Sequence, residues 1–282
     1  MIAPEAGSMM TRPSISRADF QYITGVLHKH AGIRLAAGKE ALVTSRLDKR
    51  IRALGLGGYA EYVRLLQDRA GEAELRQMID LLTTNETFFF REEQHFDFLR
   101  QVVLPARRGG RTFRLWSAAS STGEEAYTAA MVLADTLPPG SWEIVGTDIS
   151  TRVVEGARTA LYPIAAAEKI PRHLLRRFCL KGREEYEGLM TISRELRAKV
   201  HFHCQNLHED LSHLGHFDVI MLRNVMIYFD ADTKRSLIGR LQGMLHEGGH
   251  LIVGSSESLN AIPSRLRMVQ PSIYTLDGAG RG

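Results

Sequence analysis

Cysteine is almost missing: Cys179 and Cys204 are the two that occur in 282 residues. They are too few and too far apart for a disulfide scaffold, and in a reducing compartment both are expected to be free thiols. Long apolar runs are missing too. No uninterrupted stretch is long enough to cross a bilayer, and residues 1–16 hold no apolar signal core, so a cytoplasmic chain without membrane insertion is expected. There is no G-x-S-x-G elbow, no H-E-x-x-H, no G-x-G-x-x-G and no phosphate loop with its lysine, which removes the hydrolases, zinc peptidases and nucleotide enzymes built on them. His201, His203, Cys204, His208, His213 and His216 crowd one region, but their spacing fits no compact zinc module, and no metal is expected. Charge of neither sign is scarce. The 36 basic residues against 32 acidic ones leave a net +4, which favours an acidic partner without choosing among nucleic acid, protein and anionic lipid. At 44% hydrophobic, the chain has enough apolar residues for two domains and a substantial core.

What is present is organised around residues 112–127. Residues 112–119 read as a buried strand, a run of small residues ending in Gly123 follows, and helix formers begin at Glu124. A strand, a tight small-residue turn and a helix open an α/β nucleotide-binding sheet. The single glycine and the acidic pair Glu124-Glu125 argue against a phosphate ligand. That pair suits a cation or hydroxyl groups, or simply complements the helix dipole. The next strand, 142–150, ends in Asp148, at about the interval where Rossmann-like sheets place a ribose-binding carboxylate; the bland alternative is that Asp148 or Ser150 caps the following helix. A ligand with a ribose and no phosphate, whose sulfonium suits acidic surroundings, is S-adenosylmethionine.

Ahead of this core, residues 1–15 are expected as a loose tail and 16–82 as a small helical domain with amphipathic helices at 16–31, 39–54, 58–70 and 71–82. Residues 33–54 hold six basic residues against two acidic ones. At helical spacing Arg46, Lys49 and Arg50 share a face opposite Val43, Leu47, Ile51 and Leu54. That face is either solvated or a docking surface. Residues 83–110 bridge the domains: Thr83 and Glu86 have capping-box spacing, and an amphipathic helix is expected over 92–104. Beyond Asp148 come helices at 151–161 and 164–178, the latter broken at Pro171, and a hairpin at 181–193 inside a small β-subdomain near 179–196. Further strands are expected at 200–207, 217–224 and 248–255, with an antiparallel pair over 266–276. The fold class is therefore α/β, a Rossmann-like sheet over 111–282 with an N-terminal all-helical domain. Ligands gather at the carboxyl ends of such strands, here residues 117–123, Asp148, Asn206-Leu207 and 223–228.

The stretches Thr84-Asn85-Glu86-Thr87-Phe88-Phe89-Phe90-Arg91, Trp116-Ser117-Ala118-Ala119-Ser120-Ser121-Thr122-Gly123-Glu124-Glu125, Thr147-Asp148-Ile149 and Arg223-Asn224-Val225-Met226-Ile227-Tyr228-Phe229 resemble, in order, the motifs of the chemotaxis receptor methyltransferase family, the CheR proteins. The resemblance covers nearly all the chain after the tail. It implies methyl transfer from S-adenosylmethionine to glutamate side chains on the cytoplasmic helical bundle of a chemoreceptor; separately, a monomer is expected. It also implies that Asn85, Thr87 and Arg91 help hold the cofactor, with Arg91 on its carboxylate. Glu125 and Asp148 would sit near the first two strand ends, Asn206 and Leu207 beside the adenine, and Leu222 and Arg223 beside the methionine portion. Arg223 and Tyr228 are the pair implicated in the reaction centre. The basic face of Arg46, Lys49 and Arg50 becomes a receptor-docking surface.

The chemistry agrees. A glutamate carboxylate is ionised at neutral pH and needs no general base, so alignment and exclusion of water carry the catalysis. Arg223 is suited to orienting the acceptor by two hydrogen bonds. Two other readings compete. A nucleic-acid methyltransferase that modifies amino groups carries an Asp/Asn-Pro-Pro-aromatic turn after the fourth strand, where this chain has Asn224-Val225-Met226-Ile227. A non-catalytic receptor adaptor would not need the cofactor residues retained here. Some members of the family grip a C-terminal receptor tether with a glycine-rich loop in the appended β-subdomain. Here Arg183-Glu184-Glu185-Tyr186-Glu187 separates Gly182 from Gly188, and no dependence on a tether is expected.

Overall fold

The computed structural model describes residues 14–68, 71–107 and 110–276; the expected tail, 1–15, lies almost wholly outside them. By internal packing the chain divides into two units, Met1–His30 with Arg34–Thr83, and Ala31–Ile33 with Thr84–Gly282.

The first unit is helical: α1 (Arg17–Ala31), α2 (Glu40–Ala53), α3 (Tyr59–Gln67) and α4 (Glu72–Leu82). Ser16 starts α1 as its cap, its hydroxyl accepting from the Asp19 N–H at 3.1 Å. Phe20, Ile23 and Leu27 of α1, Val43, Leu47 and Ile51 of α2, and Tyr62, Met78 and Leu82 of α3 and α4 are buried, the helical spacing that produces one apolar stripe per helix. Glu74 is buried with them. Its carboxylate accepts from Arg50 Nη2 at 2.5 Å and from the Tyr62 hydroxyl at 2.8 Å, while Arg46 Nη1 donates to the carbonyls of Leu82 and Thr83 at 2.7 and 3.0 Å, satisfying the open end of α4. Two of the three basic residues expected on a docking face are therefore committed inside this unit. Lys49 is exposed.

The second unit opens on residues 84–89, which are not helical. The expected capping box does not form, because Thr83 instead ends α4, its N–H and hydroxyl turned back to the carbonyls of Ile79 and Asp80. The expected helix over 92–104 is broken into α5 (Gln94–Phe98), a π-helical turn (Leu99–Val103) and α6 (Leu104–Ala106). Then come β1 (Phe113–Ser117), α7 (Glu124–Thr136), β2 (Trp142–Asp148) and α8 (Thr151–Thr159). Ala160 in a left-handed conformation stops α8, so Leu161, expected as its last residue, instead begins β3 (Leu161–Pro163). A 3-10 turn, α9 (Arg172–Phe178), β4 (Cys179–Lys181), β5 (Leu189–Ile192) and α10 (Arg194–Arg197) complete the insertion. The hairpin is thus a three-stranded antiparallel sheet, β3-β5-β4, with Pro163 on an edge strand, where a missing N–H costs no ladder bond.

The chain returns to the main sheet with β6 (Val200–Cys204) and β7 (Phe217–Leu222), then α11 (Ala231–Gly243), β8 (Leu245–Val253), β9 (Leu266–Gln270) and β10 (Ile273–Leu276). The order is β6-β2-β1-β7-β8-β10-β9. The first five strands run parallel and the last two form the expected antiparallel pair. Apolar clusters cover both faces: one includes Phe89, Phe96, Tyr127 and Leu133, the other Trp116, Phe217, Leu237 and Leu241. After running outward through β2 and β6 the chain crosses back to place β7 beside β1, making the topological switch point at which such sheets bind ligands. Among the described residues no helix is long and apolar enough to cross a membrane.

Candidate active site

The turn after β1 is tied directly to the end of β2. Asp148, buried, accepts from the Ser121 N–H at 2.9 Å through one carboxylate oxygen and from the Ser150 N–H at 3.0 Å through the other. Ser150 begins α8 without a side-chain cap bond; the Asp148 carboxylate holds the Ser150 N–H, and its chemistry suits a hydroxyl-bearing ligand as well. The Ser121 hydroxyl donates to the Asn85 carbonyl at 2.9 Å, bringing the bridging segment onto the turn. Asn85 and Thr87 are half-buried there. Beside Asp148 the β6 strand ends: the Gln205 N–H donates to the Asp148 carbonyl at 2.8 Å, Asn206 closes a local turn by accepting from the His208 N–H at 3.0 Å, and Leu207 is buried.

At the end of β7, Arg223 is buried between two carboxylates. Its Nη2 lies 3.1 Å from Glu92 Oε2 and its Nη1 lies 3.0 Å from Glu125 Oε2. Nη2 also donates to the Arg91 carbonyl, Nε faces Glu92 at 3.4 Å, and the guanidinium lies 5.4 Å from the Phe96 ring centroid. Glu125 is steadied on its other oxygen by the Ser117 hydroxyl at 2.7 Å. Of the five N–H groups a guanidinium carries, one on Nη1 remains for an incoming acceptor, so the two-bond grip expected from sequence is not accommodated unless a carboxylate lets go. Leu222 has its side chain in the core and offers the site only backbone. Tyr228 is half-buried in the 3-10 turn Met226–Tyr228, packed on the cluster beneath β7. Arg91 is half-buried, donates to the Glu86 carbonyl at 2.7 Å and lies over the Phe88 ring.

Burial opposes ionisation of Glu92, but the Arg223 charge and hydrogen bonds from Ser255, Arg223 and Asn224 outweigh it, holding this carboxyl below its ordinary value. Glu125 goes the other way: burial raises it more than Arg223 and Ser117 lower it. His95, fully buried beside them, is depressed to about 4 by burial and by Arg223, against the pull of Glu92. It is neutral at physiological pH. The backbone is constrained where these groups meet: of the seven non-glycine residues with positive φ among the described residues, Phe90, Glu92, Ser121 and Asn224 belong to the site, the clustering of strain expected at functional positions.

Sequence reasoning missed Glu92, His95 and Glu257, whose carboxylate accepts from the Asn224 N–H at 2.8 Å. Glu92 adjoins Arg91, and that adjacency was the one available signal. Among the described residues no three His, Cys, Asp or Glu side chains group as a metal site, and His201 and His203 are exposed on the edge strand β6.

The donor set fits S-adenosylmethionine: a carboxylate at the β2 end suits ribose hydroxyls, and two carboxylates against one guanidinium leave acidic surroundings for a sulfonium. The comparisons agree. Residues 85–275 match the family described as CheR methyltransferase, SAM binding domain, and residues 18–83 match the CheR methyltransferase all-alpha domain. The chain is 38% identical to the chemotaxis protein methyltransferase of Salmonella typhimurium, covering 95% of this chain and 93% of that protein. It is 40% identical to chemotaxis protein methyltransferase 2 of Pseudomonas aeruginosa, covering 92% and 93% respectively. With both family domains present in order and relatives matched along almost their whole length, the chain belongs to the CheR family of S-adenosylmethionine-dependent chemotaxis methyltransferases.

Proposed function

We propose that this protein esterifies glutamate side chains on the cytoplasmic helices of a chemoreceptor, and that Arg223 and Tyr228 form its reaction centre. The observation that carries the reading is the guanidinium of Arg223, fixed on two sides at the β7 end and left with one N–H that, among the described residues, has no internal partner. One charge-assisted bond orients a carboxylate without holding it so tightly that the ground state is favoured over the transition state. Bound S-adenosylmethionine supplies an electrophilic methyl group on a sulfonium. Asp148 takes the ribose hydroxyls, Arg91 the cofactor carboxylate, and Asn85 and Thr87 line the same site. Asn206 and Leu207 flank the adenine, and Glu125 and the Leu222 backbone lie beside the methionine portion. The acceptor glutamate arrives ionised, so no residue has to remove a proton. Tyr228 closes the acceptor side, excluding water from the aligned groups.

The test is incubation with methyl-labelled cofactor and either a chemoreceptor cytoplasmic fragment or RNA. Base-labile label on receptor glutamates, lost when those glutamates are replaced by alanine, is expected. Label on RNA alone would overturn the reading.

A further inference from the structure

The segment after β7 carries both reaction-centre side chains, yet its regular structure is limited to one short 3-10 turn. Its shape is set from outside, by Glu257. This carboxylate is 8% exposed and, among the described residues, has no Lys or Arg within ion-pair distance. It accepts instead from three backbone N–H groups. One oxygen takes Asn224 at 2.8 Å and Gly254 at 2.7 Å; the other takes Ile227 at 3.2 Å. Close approach makes this possible, since a Cβ at Gly254 would fall 2.6 Å from Asn224 Nδ2 and 2.8 Å from Glu257 Oε2. Asn224 adopts the left-handed conformation, φ 56°, directly after Arg223. Ser255, which follows Gly254, donates its N–H to Glu92 at 3.2 Å, and Glu92 is one of the two carboxylates that hold Arg223. The loop after β8 thus touches both ends of the reaction-centre segment and the clamp on its arginine.

We propose that Glu257 is a positioning residue for methyl transfer, a carboxylate staple that sets the relative placement of Arg223 and Tyr228. The inference rests on the assignment of those two residues to the reaction centre. Glutamine tests it selectively. Its one carbonyl oxygen can satisfy the Asn224 and Gly254 N–H groups, but its amide then presents N–H to the Ile227 N–H, donor against donor. The end of the segment next to Tyr228 is released while the end next to Arg223 stays held.

Full-length wild type, Glu257→Gln, Tyr228→Phe and Arg223→Lys are compared for S-adenosylhomocysteine affinity, for kcat and KM with a chemoreceptor cytoplasmic fragment, and for amide hydrogen exchange over 226–229. Glu257→Gln is expected to keep cofactor affinity within about threefold, lose at least about tenfold in kcat with acceptor KM little changed, and exchange faster at 227–229. A kcat within about twofold of wild type, alongside an impaired Tyr228→Phe, would overturn the positioning role alone. So would a loss of activity that merely follows cofactor affinity or folded fraction. Wild-type turnover in both Tyr228→Phe and Arg223→Lys would remove the reaction centre and this inference with it.

Discussion

Arg223 and Glu125 meet at 3.0 Å across the switch point of the sheet, joining the carboxyl end of β7 to the first turn of α7. With Glu92 at 3.1 Å on the other side, the cluster holds two carboxylates against one cation. Removing the cation strands both. Arg223→Ala should destabilise the protein by about 3–5 kcal/mol, the usual consequence of leaving a buried charge unpaired, and should abolish turnover. Thermal unfolding and methylation assays of the same preparation check both effects, and normal methylation by a folded Arg223→Ala would remove the proposed role.

Asp148→Ala should weaken cofactor binding by roughly 10–100-fold, the loss of one or more hydrogen bonds to a charged group at about 1.5–3 kcal/mol each. Calorimetry with S-adenosylhomocysteine measures it. Arg91→Ala should lose affinity through the cofactor carboxylate instead, without disturbing the Ser121 turn that Asp148 anchors. Unchanged binding in both variants would displace the site.

Acid should destabilise the protein through His95. Its folded value is near 4 against an ordinary 6.5, so between those limits the unfolded chain binds the proton and the folded one does not. Stability therefore falls as pH drops from 6.5 to about 4, by up to about 3 kcal/mol at 1.36 kcal/mol per unit. His95→Phe should flatten that part of the profile, as read from denaturant unfolding at a series of pH values; an unchanged slope would assign the acid sensitivity elsewhere.

The basic helix separates into two kinds of residue. Arg50→Glu would face the buried Glu74 that now pairs with Arg50 at 2.5 Å, and should cost stability on the order of 3 kcal/mol. Lys49→Glu should leave the melting temperature alone and slow receptor methylation at low salt, and raising salt should bring the wild type down toward the variant. Equal rates for Lys49→Glu and wild type at low salt would leave Lys49 merely solvated.

The loop between β4 and β5 should not capture receptor tails. Glu184, Glu185 and Glu187 are all exposed there, and Gly182 is already pressed against the Tyr186 carbonyl, which an added Cβ would reach at 2.0 Å. Acidic side chains repel a peptide ending in a carboxylate, and titration with receptor C-terminal peptides should show no micromolar binding. Removing a receptor's C-terminal peptide should leave its methylation rate unchanged.

The sheet, its helices and the strand-end positions were legible because they follow from local signals: apolar runs of strand length, a small-residue turn before helix formers, and an acid at the end of β2. What escaped sequence reasoning has a common physical form. Glu92 meets Arg223 from 131 positions away, and Glu257 works on backbone N–H groups 30 and 33 positions away. Backbone donors carry no residue identity, so no pattern announces their partner. β3 was missed because a left-handed Ala160 ends α8, a conformation that alanine does not advertise. Arg46 and Arg50 look like surface charges on a helical wheel, and their partners, the carbonyl end of α4 and Glu74, meet them only once these helices pack.

The staple at Glu257 also bears on synthesis. Chains grow from the N-terminus, and the helical unit, the β1 turn and Asp148 all precede residue 223, which in turn waits for residue 257 before its loop is held. A chain that stopped between residues 229 and 256 would hold both Arg223 and Tyr228 and, under the proposal above, lack the carboxylate that sets their relative placement.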